Sequence, residues 1–267
     1  TQAESPGPVF SKLVPKQAQT SKILYSIYCV LTLTEVVCLK LAGMPLYDSF
    51  IHAFSSAGTG GFSNRNASVG AYGSVAIDLI ITVFILLFSL NFAVYFLLLT
   101  RKWREALSSD ELRFFLLVVT GATILIAIDI APLYTSIWES LRYSVFQVAS
   151  IISTTGFATA DFVLWPHFSQ TILVLLMFCG ACAGSTGGGI KCSRVLILLR
   201  SIRREIHRVI HPRSVEVVKL DGKVVEEDTL RSISVFVGSY LFIILAATLI
   251  ISLDDFPFSV SFSSALT

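Results

Sequence analysis

The sequence predicts an all-α membrane protein built from repeated units. Each unit is a long helix, a short half-helix with a glycine turn, and a second long helix; one small β-hairpin lies outside the bilayer. Three observations carry this prediction. Of 267 residues, 54% are hydrophobic and 14% charged, with a mean hydropathy of +0.76, whereas a soluble domain of this length needs far more polar surface. Long apolar runs recur, near the ~20 residues that span a ~30 Å hydrocarbon core. Short semi-polar runs ending in glycine turns alternate with them.

The long runs are Ile23–Gly43, Val75–Leu99, Phe114–Leu133, Phe168–Ala183 and Ile233–Leu253. Only Phe168–Ala183 is too short to span, and it resumes after a glycine cluster as Ile190–Leu199. The short runs are Leu46–Ala57, Ile137–Ile152 and Phe258–Thr267, with polar residues such as Asp48, His52, Glu139, Arg142 and Gln147. They read as re-entrant helices, because irregular backbone at membrane depth survives only where protein covers it or water reaches it. The opening residues Thr1–Thr20 are polar and lack a signal-peptide pattern.

Basic residues mark one side. Lys12, Lys16 and Lys22 precede the first long run, Arg101, Lys102, Arg104 and Arg113 follow the second, and Arg200, Arg203, Arg204, Arg208 and Arg213 follow the fourth. The positive-inside rule puts these segments in the cytoplasm and the glycine turns near the outer face. On that outer side Asp48, Asp129, Asp161, Asp254 and Asp255 read as solvated loop charges or as a means of concentrating cations at a mouth. Ser214–Arg231 is charged, and Asp221-Gly222 between Val215–Leu220 and Lys223–Val225 predicts a cytosolic hairpin.

The chain repeats itself. Gly58-Thr59-Gly60-Gly61-Phe62-Ser63 and Ser153-Thr154-Thr155-Gly156-Phe157-Ala158 share one pattern, and Phe262–Thr267 echoes Phe54–Thr59. A dehydrating cation needs oxygens in place of water, and backbone carbonyls supply them without a fixed charge that would trap it. Glycine permits the torsions that turn successive carbonyls inward. Gly58, Thr59, Gly60 and Gly61, with Ser153, Thr154, Thr155 and Gly156, suit this role; the cation would lie against the carbonyls of Thr59, Gly60, Thr154 and Thr155. Phe62 and Phe157 would anchor the chain leaving each turn. A single such turn reads more simply as a tight connection; two in register favour a monovalent-cation filter.

Gly184-Ser185-Thr186-Gly187-Gly188-Gly189, followed by Ile190 and Lys191, interrupts what would otherwise be one helix. Each glycine disfavours helix by ~1 kcal/mol relative to alanine. From an outer start near Phe168, Gly184 lies roughly 24 Å inward at ~1.5 Å per residue, deep enough for a gate across a pore. The spacing is wrong for a nucleotide-binding phosphate loop, and a small-residue packing surface is the other alternative. Lys191 reads equally as a pore charge or as a lysine snorkelling to the cytoplasmic interface.

The cysteines Cys29, Cys38, Cys179, Cys182 and Cys192 sit in or beside apolar runs, and packing outweighs a redox role for Cys179 and Cys182. His52, His167, His207 and His211 show no metal-ligand spacing. No nucleophile–base constellation appears, so the reading is not an enzyme. Nothing points to nucleic acid, and no cofactor is expected in the chain.

Together Ala3–Pro8, Ala53–Ser63, Ser153–Thr159 and Ala183–Lys191 resemble the Trk/Ktr/HKT potassium transporters, most closely the bacterial TrkH-type membrane subunit. The resemblance runs over essentially the whole chain. It implies four membrane helix–pore loop–membrane helix units around a pseudo-fourfold pore in the plasma membrane, with potassium uptake through a carbonyl filter. Residues 1–22 would be a cytosolic linker, 23–108 the second unit and 109–213 the third, with a broken second helix. Residues 214–231 would be the hairpin and 232–267 the start of the fourth unit. Gly61 and Gly156 match filter glycines, and Gly184–Lys191 matches the gate loop. The resemblance also implies a homodimer and a cytosolic nucleotide-binding regulatory subunit, with nucleotide only on that partner. A sodium-permeable or cation-coupled transporter of the same fold is the alternative; a membrane scaffold without transport leaves the matched turns unexplained.

Overall fold

The structure, a computed structural model, describes residues 17–211 and 216–266. The part of the linker at 1–16, residues 212–215 with Arg213 of the basic segment and the start of the expected hairpin, and the final residue of the third echo lie outside them.

Helix α1 (Gln17–Leu41) ends where Gly43 takes φ +94°. There Met44 N donates to Leu39 O at 3.1 Å and Gly43 N to Lys40 O at 3.1 Å, a glycine-terminated end that satisfies carbonyls a helix otherwise leaves bare. Pro45 then fixes the entry into α2 (Leu46–Ala57). Helix α2 buries Ser49, His52, Ala53 and Ser56 against α1 and α3 (Val75–Ser89), and turns Tyr47 and Phe54 outward. After α4 (Phe92–Leu99) and α5 (Trp103–Leu107), the pattern recurs as α6 (Asp110–Ile130), α7 (Ile137–Ile152) and α8 (His167–Cys179). Helix α9 (Cys192–Ile210), the hairpin β1 (Lys219–Leu220) and β2 (Lys223–Val224), α10 (Glu227–Ile251) and α11 (Phe258–Leu266) complete the chain. The spans Lys22–Leu41, Asp110–Leu133 and Glu227–Asp254 are long and apolar enough to cross a membrane.

The expected run Val75–Leu99 is not one straight helix. Helices α3 and α4 meet at 92°. Apolar content hid the break, at which the Asn91 side chain accepts from Ala93 N at 2.9 Å, capping a new helix. Helix α8 is short, as read, and the chain breaks between Cys179 and Cys192. The hairpin is shorter than expected. Its turn places Asp221 at φ +49° and Gly222 at +75°, as an Asp-Gly two-residue turn requires. Val225 N adds a bond to Val218 O at 2.8 Å.

Two cores hold the repeats together. Phe115, Ile126, Ile130, Val148, Ile152 and Leu173 pack inside the second repeat. Leu39, Met44, Ile81 and Ile85 of the first repeat pack on Phe146, Ala149 and Phe157 of the second. An ion pair crosses the same seam: Arg142 Nη2 lies 2.7 Å from Asp78 Oδ2, the carboxylate side chain 2% exposed. Arg142 is therefore not a free loop charge. Removing one partner of a buried pair leaves the other uncompensated, typically at about 3–5 kcal/mol. Asp78→Asn is expected to lower the thermal unfolding temperature in detergent markedly, and the double change Asp78→Asn with Arg142→Gln to lower it less.

Candidate functional site

The two glycine turns are built alike from the helices that deliver them. Gly58 N donates to Phe54 O (2.9 Å), Thr59 N to Ser56 O (3.1 Å) and Gly60 N to Ser55 O (2.8 Å). In the second turn Ser153 N donates to Ala149 O (3.2 Å), Thr154 N to Ile151 O (3.0 Å) and Thr155 N to Ser150 O (2.9 Å). The torsions match as well. Thr59 (+49°) and Gly61 (+65°) have positive φ, as do Thr154 (+60°) and Gly156 (+88°), whereas Gly60 and Thr155 between them do not. A threonine in the left-handed region is strained, and both turns hold one at the same place.

The turns also touch. A Cβ on Gly61 would overlap the carbonyl oxygen of Thr155, so only glycine allows this approach of backbone to backbone. Beyond each turn the chain is fastened differently. Phe157 is fully buried, stacked on His52 of α2 with ring centroids 5.5 Å apart. Phe62, expected to anchor its turn in the same way, is 77% exposed. Among the described residues no neighbouring repeat stands where His52 stands for Phe157, so the anchor reading fails for Phe62 within this chain.

The glycine loop between α8 and α9 lies directly against both turns. Thr59 Oγ1 donates to Thr186 O at 3.2 Å, and Gly188 N donates to Thr154 Oγ1 at 2.7 Å. A Cβ on Gly187 would press on Ser153 O at 2.8 Å. The strained threonines are therefore the residues that meet the loop. The loop is held from its other side too. Thr186 N reaches Phe88 O (3.4 Å), Cys182 N reaches Ser89 O (3.0 Å) and Phe92 N reaches Gly184 O (3.3 Å). Carbonyls freed by the break between α3 and α4 thus accept from the loop. Ser185 Oγ closes onto Cys182 O at 2.6 Å, and Gly189 (φ +80°) packs on Gly180.

Glu111, 6% exposed in the first turn of α6, spans the loop's two ends: one carboxylate oxygen accepts from Ala183 N at 2.6 Å and Ser193 N at 3.1 Å. Lys191 is partly buried, at φ +79°, and its Nζ donates to Gly187 O, so it bonds back to the loop. Cys179 and Cys192 bracket the loop as free thiols 3.5 Å apart. No group of three or more potential metal ligands occurs among the described residues.

Behind the first turn, Asp48 is neither solvated nor a free mouth charge. It is 4% exposed and accepts from Asn64 (2.6 Å), Arg65 (3.2 Å) and Tyr72 (2.6 Å), tying 63–72 to α2. The Tyr72 hydroxyl, then Asn64 and Arg65, hold its carboxyl below the ordinary value of 3.8. Asp129 accepts from Ser169 N and Oγ, and Asp161 from Val163 N. Sequence reading missed Asn91 and Glu111. A glutamate in a first helical turn looks like ordinary dipole compensation, and nothing in its spacing marks the loop it holds.

Residues 7–264 match the profile of the TrkH cation transport proteins. The chain belongs to that family. It is 35% identical to the Trk system potassium uptake protein TrkG of Escherichia coli K12 over 98% of the chain and 55% of that protein. It is 36% identical to TrkH of Salmonella typhimurium over 95% of the chain and 54% of that protein. The crystal structure of the potassium transporter TrkH from Vibrio parahaemolyticus superposes with a TM-score of 0.87 at 32% identity, covering 96% of this chain and 56% of that one. The chain spans about half the length of these relatives. Membership of the family agrees with the repeated helical membrane architecture.

Two outcomes follow from the site. Glu111→Ala should free the loop at 180–191, read as faster amide hydrogen exchange there with α6 unchanged, and Glu111→Gln should do so less. Asp48 gains ionised stability in the fold, so its contribution is present above its ordinary value and lost as pH falls through the lowered one. Thermal stability should fall below about pH 4, and Asp48→Asn should remove that part of the acid sensitivity while lowering stability at neutral pH.

Proposed function

We propose that this chain forms part of a potassium uptake protein of the cell membrane, in which the turns at Gly58–Phe62 and Ser153–Phe157 supply filter carbonyls and the loop Gly184–Lys191 gates them. One observation carries the reading: two turns with the same alternation of left-handed torsions meet at Gly61 and Thr155, with the glycine loop bonded to both. That alternation favours turning successive carbonyls to one side, and carbonyl rings replace a cation's water shell. K+ would bind at the carbonyls of Thr59, Gly60, Thr154 and Thr155. The units at 23–108 and 109–213 give two sides of a pseudo-fourfold filter; the exposed Phe62 and the open side of Gly156 fit further turns on either flank. Conduction is then a property of the whole protein.

The loop's bonds to Thr59 and Thr154 support a closed arrangement that opens by exchanging those contacts. With the basic segments in the cytoplasm, Arg203 and Lys219 line a cavity of about 270 Å³ beside the hairpin, together with Glu216 and with Arg200 and Arg204, which are ion-paired to Asp110 and to Glu205 and Glu227. This suits an acidic surface on a nucleotide-binding regulatory subunit. A second copy of the protein completes the assembly.

The test is ion flux from liposomes carrying the full-length protein. Gly156→Ser should lower the preference for K+ over Na+, and deletion of Gly184–Gly189 should raise flux and make it less regulated. Parental transport in both variants would end the assignment of roles.

A further inference from the structure

Glu35 lies within the span Lys22–Leu41 and is completely buried. Its helix packs on α2, which ends in the first glycine turn, and the Ser56 hydroxyl lies within reach of its carboxyl. Neither carboxyl oxygen closes a hydrogen bond with a described residue, and neither do Ser55 Oγ and Ser56 Oγ, all buried. A buried carboxyl without partners is costly in the bilayer interior, and such residues mark function more often than packing.

Ser55 and Ser56 are the residues whose carbonyls accept from Gly60 N and Thr59 N. Ser56, one of the two residues that hold the turn from above, thus also carries the hydroxyl beside Glu35, whereas Ser55 Oγ lies towards Gly60, 3.8 Å from a Cβ placed there. The second repeat is equipped differently. Ser150, in the place of Ser55, donates its hydroxyl to Phe157 O at 2.6 Å, and Ile151 stands in the place of Ser56. There the hydroxyl grips the chain leaving the turn, and no carboxyl is needed. In the first repeat Ser55 makes no such bond, Phe62 is exposed, and a carboxyl sits behind.

We infer that Glu35 is a positioning residue for the first glycine turn: its carboxyl engages the Ser56 hydroxyl through one bridging water, and so sets how sharply that turn distinguishes K+ from Na+. This inference rests on the reading of Gly58–Phe62 as a filter. A turn that is fastened less from the front depends more on its support behind, so a change at Glu35 alters the spacing of carbonyls that must fit one ion radius better than another.

The experiment uses the full-length protein in liposomes, with K+ uptake measured alone and against competing Na+. Glu35→Leu should weaken discrimination against Na+ and raise the half-saturating K+ concentration, each by about fivefold, the worth of roughly one hydrogen bond. Glu35→Gln, which keeps shape and hydrogen bonding, should stay near the parent. Ser56→Ala should reproduce the leucine effect, and it keeps the test decisive if Glu35→Leu fails to fold. Parental discrimination in the folded leucine variant or in Ser56→Ala overturns the proposal; so does a glutamine variant as impaired as the leucine one, which would assign the effect to charge. Gly61→Ser separates the two readings. If it shifts ion preference while the Glu35 and serine variants do not, only the role of Glu35 falls; if it too is silent, the filter falls with it.

Discussion

The approach of Gly61 to the carbonyl of Thr155 is the constraint on which the rest is arranged. Two stretches of backbone from different repeats lie where any side chain would part them. To bring them there, α2 and α7 must both end at the same place. Three matched hydrogen bonds at each helix end do this. The apolar seam of Leu39, Met44 and Ile81 against Phe146 and Phe157 then holds the helices at that distance. Burial of this kind contributes about 25 cal/mol per Å², but it is not directional. The turns obtain direction from the Arg142–Asp78 pair and from the stacking of Phe157 on His52.

Backbone that leaves regular structure at membrane depth must find partners within the protein. The break between α3 and α4 and the break between α8 and α9 solve this together. The carbonyls of Phe88 and Ser89, freed at the end of α3, accept from Thr186 and Cys182, while Phe92 N donates to Gly184 O. Neither irregularity is self-sufficient: each supplies groups the other lacks. Glu111 completes the arrangement by taking one N–H from each side of the loop. With no large apolar side chain between Gly184 and Gly189, the loop owes its place to these hydrogen bonds.

Much of this was legible in the sequence, for physical reasons that differ by element. Membrane helices announce themselves because apolar length is what the bilayer selects. The glycine turns were legible because glycine and threonine in a repeated pattern imply unusual torsions, and Thr59, Gly61, Thr154 and Gly156 have them. The Asp221-Gly222 turn is the same kind of local signal. What failed was whatever depends on a distant partner. Val75–Leu99 reads as one span because hydropathy does not register where an Asn91 cap and a distant loop redirect the chain. Asp48 reads as a surface charge until Asn64, Arg65 and Tyr72 close over it. Phe62 and Phe157 occupy the same place in the motif, yet among the described residues only the latter meets a ring.

That last asymmetry has a direction. The second turn leans on the first: Phe157 stacks on His52, and Thr155 O lies against Gly61. The first turn receives these contacts but makes none of its own kind, so Phe62 stays open. Conversely, nothing lies within 4 Å of a Cβ placed on Gly156, the position where Gly61 is crowded. Each turn therefore has a face that gives and a face that receives, and the two faces differ. Contacts of this head-to-tail type are satisfied throughout only when the succession closes on itself. The open Phe62 and the open Gly156 are the two faces through which such a closure would pass, and the repeat supplies its own rule for what must meet them: an aromatic platform on one side, a bare carbonyl on the other.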